Sequence, residues 1–490
     1  MRPSLAATAT RFAGFQLLAL AASMGASVVN ARLLGPERYG IWASATIVLG
    51  FMPFLAFGVD HGASQEIPLW RGSCRDEEAA RVRCVYLTFA LLVASLSSSA
   101  VVVFTLLVKL DAMMAWSLRV VAAIGFVASV GRWAVIVLKA DHCFAWAGFA
   151  EGLEPLSRLL SCPVVYWLGL PGVWVGSLLG AIATALAAWR GDPRPIRLEW
   201  NWPVIARLSR FGLPIMAVSI VQILSTSGDK MLILGALGTS WVGIYALGRS
   251  FSLVLFASGG VIGPVVYPRI AEAYGRTGDI KSLRELTLMP VVALGAGIPL
   301  LLGYIWFGLD IVVSRVLPRF QAGIPSARVL FVAVAVYVVS GTCSYLLLAV
   351  ERQVLLLMLF GSSVAVGLSL EYAALRLGMG LEGVAIGVVL SNILYSVALI
   401  MAALRLFGSS KTEQVGRITQ AILPIVFAWG VCITLGSSVA SLRHVSLTED
   451  IVAAAFKGTV VALASLPGLI WSFKRLRLPW RSVVLLRSPR

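Results

Sequence analysis

Charge is scarce in this chain: 13% of its 490 residues are Asp, Glu, Lys or Arg, against 59% hydrophobic. A soluble fold of that length could not conceal so much apolar surface, so lipid must be its main solvent. Histidine is scarcer still, with His61, His142 and His444 far apart, and the six cysteines (Cys74, Cys84, Cys143, Cys162, Cys343, Cys432) form no C-x-x-C pair. Such spacings offer no metal site and no redox couple; the cysteines read as small apolar fillers. No G-x-x-x-x-G-K-[ST] run occurs, which excludes a P-loop and direct ATP hydrolysis by it. The first apolar run is about 20 residues long and lacks a small-residue cleavage site, so a cleavable leader is not expected.

What charge there is leans basic: 40 Lys and Arg against 23 Asp and Glu, a net +17. In a soluble protein that balance would suggest nucleic acid. Here the basic residues sit in short loops beside apolar runs, which marks topology, and no nucleic-acid partner is expected. Hydropathy, averaging +0.90, divides the chain into about fourteen helices of bilayer length. They span roughly 12–34, 41–60, 84–108, 118–140, 153–170, 172–189, 211–236, 241–263, 286–308, 328–350, 354–377, 380–404, 418–436 and 452–472. The fifth is the weakest, because its start carries Glu151, Glu154 and Pro155. A roughly three-fold excess of Lys and Arg on one side places both termini in the cytoplasm. The expected fold is therefore an all-α polytopic membrane protein.

Two stretches echo each other. Leu34-Gly35-Pro36-Glu37-Arg38-Tyr39-Gly40-Ile41-Trp42-Ala43 returns 203 residues later as Leu237-Gly238-Thr239-Ser240-Trp241-Val242-Gly243-Ile244-Tyr245-Ala246. A second echo pairs Leu170-Pro171-Gly172-Val173-Trp174-Val175-Gly176 with Leu381-Glu382-Gly383-Val384-Ala385-Ile386-Gly387. Same order and near-equal offset describe one duplicated unit, a hallmark of carriers that rock about a shared site. Six spans separate the two starts, so the copies point the same way, as two pseudo-twofold six-helix lobes with two C-terminal helices appended. The expected division is an N-lobe at 1–190, a cytoplasmic amphipathic linker at 191–210, a C-lobe at 211–405, two further spans at 406–473 and a basic tail at 474–490. In the linker, Arg190, Arg194, Arg197, Arg207 and Arg210 alternate with Trp200, Trp202, Val204, Ile205 and Leu208. That mixture suits a helix lying in the headgroup layer, and with the tail it points to anionic lipids as partners.

Polar groups inside hydrocarbon are costly and demand a reason. On the first span Gln16, Ser23, Ser27 and Asn30 fall on one helix face at about 100° per residue. The seventh span repeats the device with Ser219, Gln222, Thr226 and Lys230. Matching stripes suggest a shared aqueous cleft, with helix packing through small polar side chains as the alternative. Asp229, Lys230 and Arg249 form a charged group on the seventh and eighth spans; Asp229 and Arg249 lie at similar depth and could pair, leaving Lys230 to the cleft, or all three could lock the helices. Arg132, in the inner part of the fourth span, is a further cation. Such a lining suits an anionic cargo such as a pyrophosphate. Elsewhere, Glu371 is unusually deep with Arg376 as one candidate partner, Lys457 is expected to snorkel, and Asp60 with His61 marks a helix terminus.

These strings carry a resemblance. LLGPERYGIWA with a span ending Gly58-Val59-Asp60, the FGLP entry at Phe211–Pro214, and Asp229-Lys230-Met231-Leu232-Ile233-Leu234-Gly235 before Gly243-Ile244-Tyr245-Ala246 resemble bacterial polysaccharide (O-antigen type) flippases. Those belong to the multidrug/oligosaccharidyl-lipid/polysaccharide (MOP) exporter superfamily. The likeness runs from about residue 10 to 405. It implies a carrier in the bacterial inner membrane that moves undecaprenyl-pyrophosphate-linked oligosaccharide to the periplasmic leaflet by alternating access. Lipid-linked glycan would be its cargo and polysaccharide polymerase or export machinery its partners. The same resemblance implies a cleft lined by the first, second, seventh and eighth spans.

A cation-coupled multidrug exporter of the same superfamily is the main alternative, disfavoured because intramembrane acids are few, chiefly Asp229 and Glu371. Lipid II flippases, which also have fourteen spans, line their cleft with more arginines than Lys230, Arg249 and Arg132 provide. An enzyme is not expected: the outer loops are too short for a catalytic domain. No catalytic residue, metal or cofactor is anticipated, with an H+ or Na+ gradient among the candidate driving forces.

Overall fold

In the computed structural model, which describes residues 5–192, 194–195, 197–260, 263–438 and 446–475, the chain is helical throughout, with no strand among the described residues. The sixteen α-helices among the described residues fall into two compact units, Met1–Leu247 and Gly248–Arg490. The expected basic tail lies almost wholly outside the described residues, as does His444.

The first unit begins with α1, Leu5–Phe51. A straight helix of that length would run about 70 Å, more than twice the hydrocarbon core. Gly35 divides it, at φ 71° and ψ 174°, a conformation open essentially to glycine alone, and Pro36 follows without an N–H to offer. The first two expected spans are thus one helix by hydrogen bonding and two by direction. The second does not run unbroken either. Met52–Ala56, with Pro53, winds as a 3-10 turn, and left-handed Phe57 and Gly58 lead into α2, Val59–Gly72. Then come α3 (Asp76–Leu107), α4 (Ala112–Ala140), α5 (Phe144–Leu160), α6 (Cys162–Leu168), α7 (Leu170–Gly191), α8 (Trp202–Leu237) and α9 (Thr239–Gly260), whose first nine residues close the unit.

Twelve described segments are long and apolar enough to cross a membrane, and one of them, Gly14–Ala56, holds the two spans parted at Gly35. The fifth expected span is the one not among them. It is split between α5 and α6, where the chain turns at Ser161 and Pro163 sits at the start of α6. Glu151, Glu154 and Arg158 lower its hydropathy further, the weakness already visible in its sequence.

The echoed motifs meet. A Cβ on Gly40 would overlap the Thr239 carbonyl, and one on Gly243 would overlap the Pro36 carbonyl. Pro36 and Thr239 stand at equivalent places in the repeat, as do Gly40 and Gly243. Each motif therefore offers the other the same surface, the signature of a two-fold contact. Without side chains the backbones approach as small-residue motifs allow in lipid. Nearby, Tyr39 and Tyr245 are almost wholly buried. A second close approach joins α2 to α8: Gly58 abuts Gly212, and Gly62 abuts the Leu208 backbone. Ser209 Oγ donates to the Phe57 carbonyl at 2.7 Å, and Arg207 reaches Glu66 at 3.0 Å while lying over Trp70.

The stretch between α7 and α8 departs from expectation. It is not a surface helix from 190 to 210. Helix α7 continues to Gly191, residues 197–201 belong to no helix, and α8 starts at Trp202, capped by Asn201, whose Oδ1 accepts from the Val204 N–H at 3.3 Å. Val204, Ile205 and Leu208 are core residues packed with Val59, Ala63, Val82 and Val85. The apolar half of the pattern thus faces protein, while Leu198, Trp200 and Trp202 stay exposed.

Ionic contacts pin this segment. Arg83, buried, pairs with Asp192 at 3.0 Å, donates to the Arg194 carbonyl at 3.2 Å and lies over Trp133, whose indole donates to the Arg83 carbonyl. Arg194 pairs with Asp192 and Asp141, and Arg71 also reaches Asp141. Burial pushes the Asp141 and Asp192 carboxyls above the usual carboxylate range; Arg71 beside the first and Arg83 beside the second oppose that rise without cancelling it. A carboxyl raised in the folded state is penalised fully above its folded pKa, and the penalty lifts as pH falls through it. The melting temperature is therefore expected to rise on acidification from neutrality towards the upper carboxylate range. An Asp141→Asn/Asp192→Asn variant should flatten that profile, and a wild-type melting point falling over the same window would contradict the account.

The second unit holds the rest of α9, then α10 (Gly263–Thr277), α11 (Arg284–Ile311), α12 (Ile324–Ala349), α13 (Gln353–Arg376), α14 (Gly380–Leu406), α15 (Lys411–Ser438) and α16 (Leu447–Arg475). Helix α11 is its hub, packed on α12, α15 and α16. Gly295 meets the Ala421 backbone, Gly303 meets Val461 and Gly458, and Gly458 meets the Tyr304 ring. Arg284 pairs with Glu413, Arg315 pairs with Asp450 at 2.6 Å, and Arg328 pairs with Asp310 at 2.7 Å over the Trp306 ring. Lys457 lies over Phe307.

The second sequence echo has a structural counterpart in each unit. Gly172 and Gly176 seat α7 on α6 and α5; Gly383 and Gly387 seat α14 on α13, the latter over Glu371, which is buried.

Candidate functional site

Helices α1, α4, α5 and α7 of the first unit line an open cavity of about 490 Å3. Its walls carry Gln16, Arg132, Lys139, Glu151, Glu154 and Thr184 among apolar residues such as Leu49, Ile124 and Val135. Arg132 and Lys139 are seven residues apart, two turns of α4, and share a face. Glu151 and Glu154 are three apart on α5 and do the same. Gly131 and Gly180 let α7 come close to α4 and α5: a Cβ on Gly180 would crowd Glu154.

The polar groups are partly committed to one another. Glu151 accepts from Gln16 Nε2 at 3.1 Å and pairs with Lys139 at 2.6 Å, so it ties α1 to α4. Glu154 lies 3.8 Å from Arg158, one turn along its own helix. Thr184 Oγ1 donates to the Ala150 carbonyl. Arg132 is exposed to the cavity and makes no hydrogen bond or ion pair among the described residues.

Two of the sequence-selected residues, Gln16 and Arg132, are brought together here. The polar stripe of α1 is one face, and it turns towards α5 and α6. Gln16 meets Glu151, Gly25 meets Leu159, and Asn30 accepts from the Cys162 thiol at 3.7 Å. Ser27, buried, donates to the Ser23 carbonyl at 2.8 Å, with Ser23 half-buried above it. On α8, Gln222 and Thr226 are half-buried, Thr226 donating to the Gln222 carbonyl, and Ser219 lies 3.4 Å from the His61 ring on α2. Asp229 is almost wholly buried and accepts from the Tyr245 hydroxyl at 2.8 Å and from the Lys230 N–H. Lys230 is half-buried in the first unit and Arg249 half-buried in the second.

Lys139, Glu151, Glu154 and Thr184 were not selected from sequence. The signal for two of them was present: Glu151 and Glu154 disturb an apolar run, and a costly acid inside a span usually has a function. No group of three or more His, Cys, Asp or Glu side chains suited to a metal occurs among the described residues. All six cysteines are unpaired.

With this geometry in hand, the family model for polysaccharide biosynthesis proteins matches residues 29–295, more than half of the chain. The chain belongs to that family. Its fold is that of the MOP superfamily. The lipid II flippase MurJ, in an inward closed conformation, superposes with a TM-score of 0.69 at 12% identity, over 94% of this chain and 99% of that one. An inward-facing multidrug-resistance MATE transporter gives 0.64 at 16% identity, over 80% and 96%. A MOP superfamily transporter from Pyrococcus furiosus gives 0.58 at 16% identity, over 81% and 95%. No curated protein matches the chain. The folds it shares are those of transporters and flippases.

Proposed function

We propose that this protein is a flippase that carries undecaprenyl-pyrophosphate-linked oligosaccharide, a polysaccharide repeat unit, from the cytoplasmic to the periplasmic leaflet by alternating access. The family match supports this reading most directly, because it ties a membrane fold without a catalytic loop to polysaccharide biosynthesis. The extent of the structural likeness supports it further. MATE transporters account for about four-fifths of the chain, whereas the flippase accounts for 94%, and only the latter share leaves room for α15 and α16. These two helices are built into the second unit through α11, which favours a flippase over a drug exporter.

In this proposal the headgroup moves along the polar faces of α1 and α8, with Lys230 and Arg132 as contacts for pyrophosphate or acidic sugar. The polyprenyl chain stays in lipid. Asp229 holds the Tyr245 hydroxyl and orients the start of that charged turn. An H+ or Na+ gradient supplies the drive, anionic inner-leaflet lipids hold the exposed Trp200 and Trp202, and both termini face the cytoplasm of a bacterial inner membrane. A polymerase or export complex would take the product.

Deleting the gene is expected to accumulate one lipid-linked oligosaccharide in the inner leaflet and to abolish the matching surface glycan; no accumulation of any lipid-linked sugar would reject the proposal. Lys230→Ala should reduce export about tenfold with the protein still inserted, since a charge-assisted hydrogen bond is worth about 1.5–3 kcal/mol. Unchanged export would remove Lys230 from the path.

A further inference from the structure

Three shielded N–H groups of the second unit have no acceptor. They are the indole N–H of Trp306 on α11, the indole N–H of Trp429 on α15 and the Nε–H of Arg328 on α12, each without a hydrogen-bond partner among the described residues. Nearly all buried donors in folded proteins are paired, so each of these calls for a reason. An indole N–H can only donate, and so can a guanidinium; all three ask for the same kind of partner. They also stand together. The Arg328 guanidinium lies 4.8 Å over the Trp306 ring. Cys432, buried on α15, is within electrostatic reach of Arg328, and Trp429 is three residues before it, on the same face of that helix. Helices α11 and α15 run parallel, with Arg284 paired to Glu413 and Gly295 against Ala421, a register that brings Trp306 level with Cys432.

The charges around these donors do not cancel. Arg328 spends one nitrogen on Asp310, Nη2 donating to its two oxygens at 2.8 and 2.7 Å, which leaves the Nε–H edge unspent. Lys457 on α16 forms no ion pair among the described residues; its ammonium rests 5.4 Å from the ring of Phe307, next to Trp306, and within electrostatic reach of Asp310. Arg315 is already paired with Asp450. One acid against Arg328 and Lys457 leaves a surplus positive charge beside three open donors. Water could meet the donors but would leave that surplus in place. Depth narrows the choice further. Asp310 and Arg315 end the long apolar stretch of α11 within three turns past Trp306, where hydrocarbon gives way to headgroups. Leu301 and Tyr304 on α11 and Phe456 on α16 are exposed, an apolar wall suited to an acyl chain.

We infer that Trp306, Trp429, Arg328 and Lys457 form a phosphate-binding site in the second unit, occupied by the phosphodiester of an anionic phospholipid. A phosphodiester carries one negative charge, which matches the surplus, and its unesterified oxygens accept from the two indoles and from the Nε–H edge of Arg328. Its acyl chains would lie along the exposed apolar side chains of α11 and α16. Free phosphate offers the same oxygens without the chains. The residues come from α11, α12, α15 and α16 alone, so a lipid held there ties these four helices together and requires no flippase activity.

The test takes the full chain, delipidated in detergent, and follows phosphatidylglycerol, phosphatidylcholine and inorganic phosphate by native mass spectrometry. Wild type should retain one phosphatidylglycerol, and hold it more tightly than phosphatidylcholine. Trp306→Phe and Trp429→Phe keep a ring and lose the N–H; each should weaken phosphatidylglycerol about threefold, and the double variant about tenfold. Lys457→Gln should erase the preference over phosphatidylcholine. Trp167→Phe, at a residue 82% exposed, should change nothing. Phosphatidylglycerol should also raise the melting temperature of wild type and leave that of the double variant almost unmoved, a comparison made on folded protein. Retention of inorganic phosphate but of no lipid, lost in the same variants, would keep the phosphate site and overturn the lipid as its occupant. Equal retention of phosphatidylglycerol by wild type and the double variant would overturn the site. So would the absence of binding by every probe, which leaves the three donors to ordered water.

Discussion

Gly40→Val is expected to cut glycan export by about tenfold or more, and Gly243→Val to do the same. Both side chains would enter the backbone of the opposing motif, at Thr239 and at Pro36. Neither carbonyl can retreat without moving its helix, so the contact must open. Overpacking of this kind costs about 1–3 kcal/mol, and the state that holds this contact loses that much. The double variant should be no worse than the poorer single one, because both substitutions break the same contact and their effects are not additive. Export of labelled glycan in cells, normalised to the amount of inserted protein, measures this. Additive losses would mean that the two glycines act in different places.

The second large effect is on stability. Arg83→Ala should destabilise the detergent-solubilised protein by about 3–5 kcal/mol, the usual cost of removing one partner from a buried ion pair. Arg83 is 5% exposed, pairs with Asp192 and donates to the Arg194 carbonyl, so its loss leaves Asp192 to Arg194 alone and takes a donor from that carbonyl. Adding Asp192→Asn should recover part of the loss by removing a buried charge that has lost one of its two cations. Arg71→Ala, at a side chain 30% exposed, should cost far less. Thermal unfolding followed by tryptophan fluorescence separates the three. A wild-type melting curve for Arg83→Ala would show that the segment between α7 and α8 is held by other means.

How much of this was legible in the sequence depends on the range of the interaction. Span positions were legible because lipid rewards any apolar run of sufficient length, whatever its neighbours. The echo at Gly40 and Gly243 was visible for a related reason: a backbone contact tolerates only glycine, so the residue persists in both copies. Places that depend on contact between distant segments were not. Residues 190–210 carry a pattern suited to a surface helix, yet the apolar residues after Trp202 bury against Val59 and Val85 from a fold that the pattern cannot express. The α1 stripe was found, but its orientation needed α5, which supplies Glu151 for Gln16. Glu151 and Glu154 read as blemishes in a span until α4 set Arg132 and Lys139 across from them.

The repeat and the compact units also divide the chain differently. The repeat restarts near residue 211, whereas contacts divide the chain at Leu247, inside α9. The glycine contacts at Gly212 and Gly243 explain this, since each brings a segment of the second copy against the first.

The dependence of α11 on α15 and α16 bears on how the molecule is made. Arg284–Ile311 waits for partners that begin at Lys411 and Leu447, so its glycine faces at Gly295 and Gly303 stay open while the ribosome adds more than a hundred residues. During synthesis those notches are covered by lipid or by insertion factors, and a chain cut short before Lys411 would keep them bare. Proteases that survey the bilayer would then have a simple mark of an unfinished product.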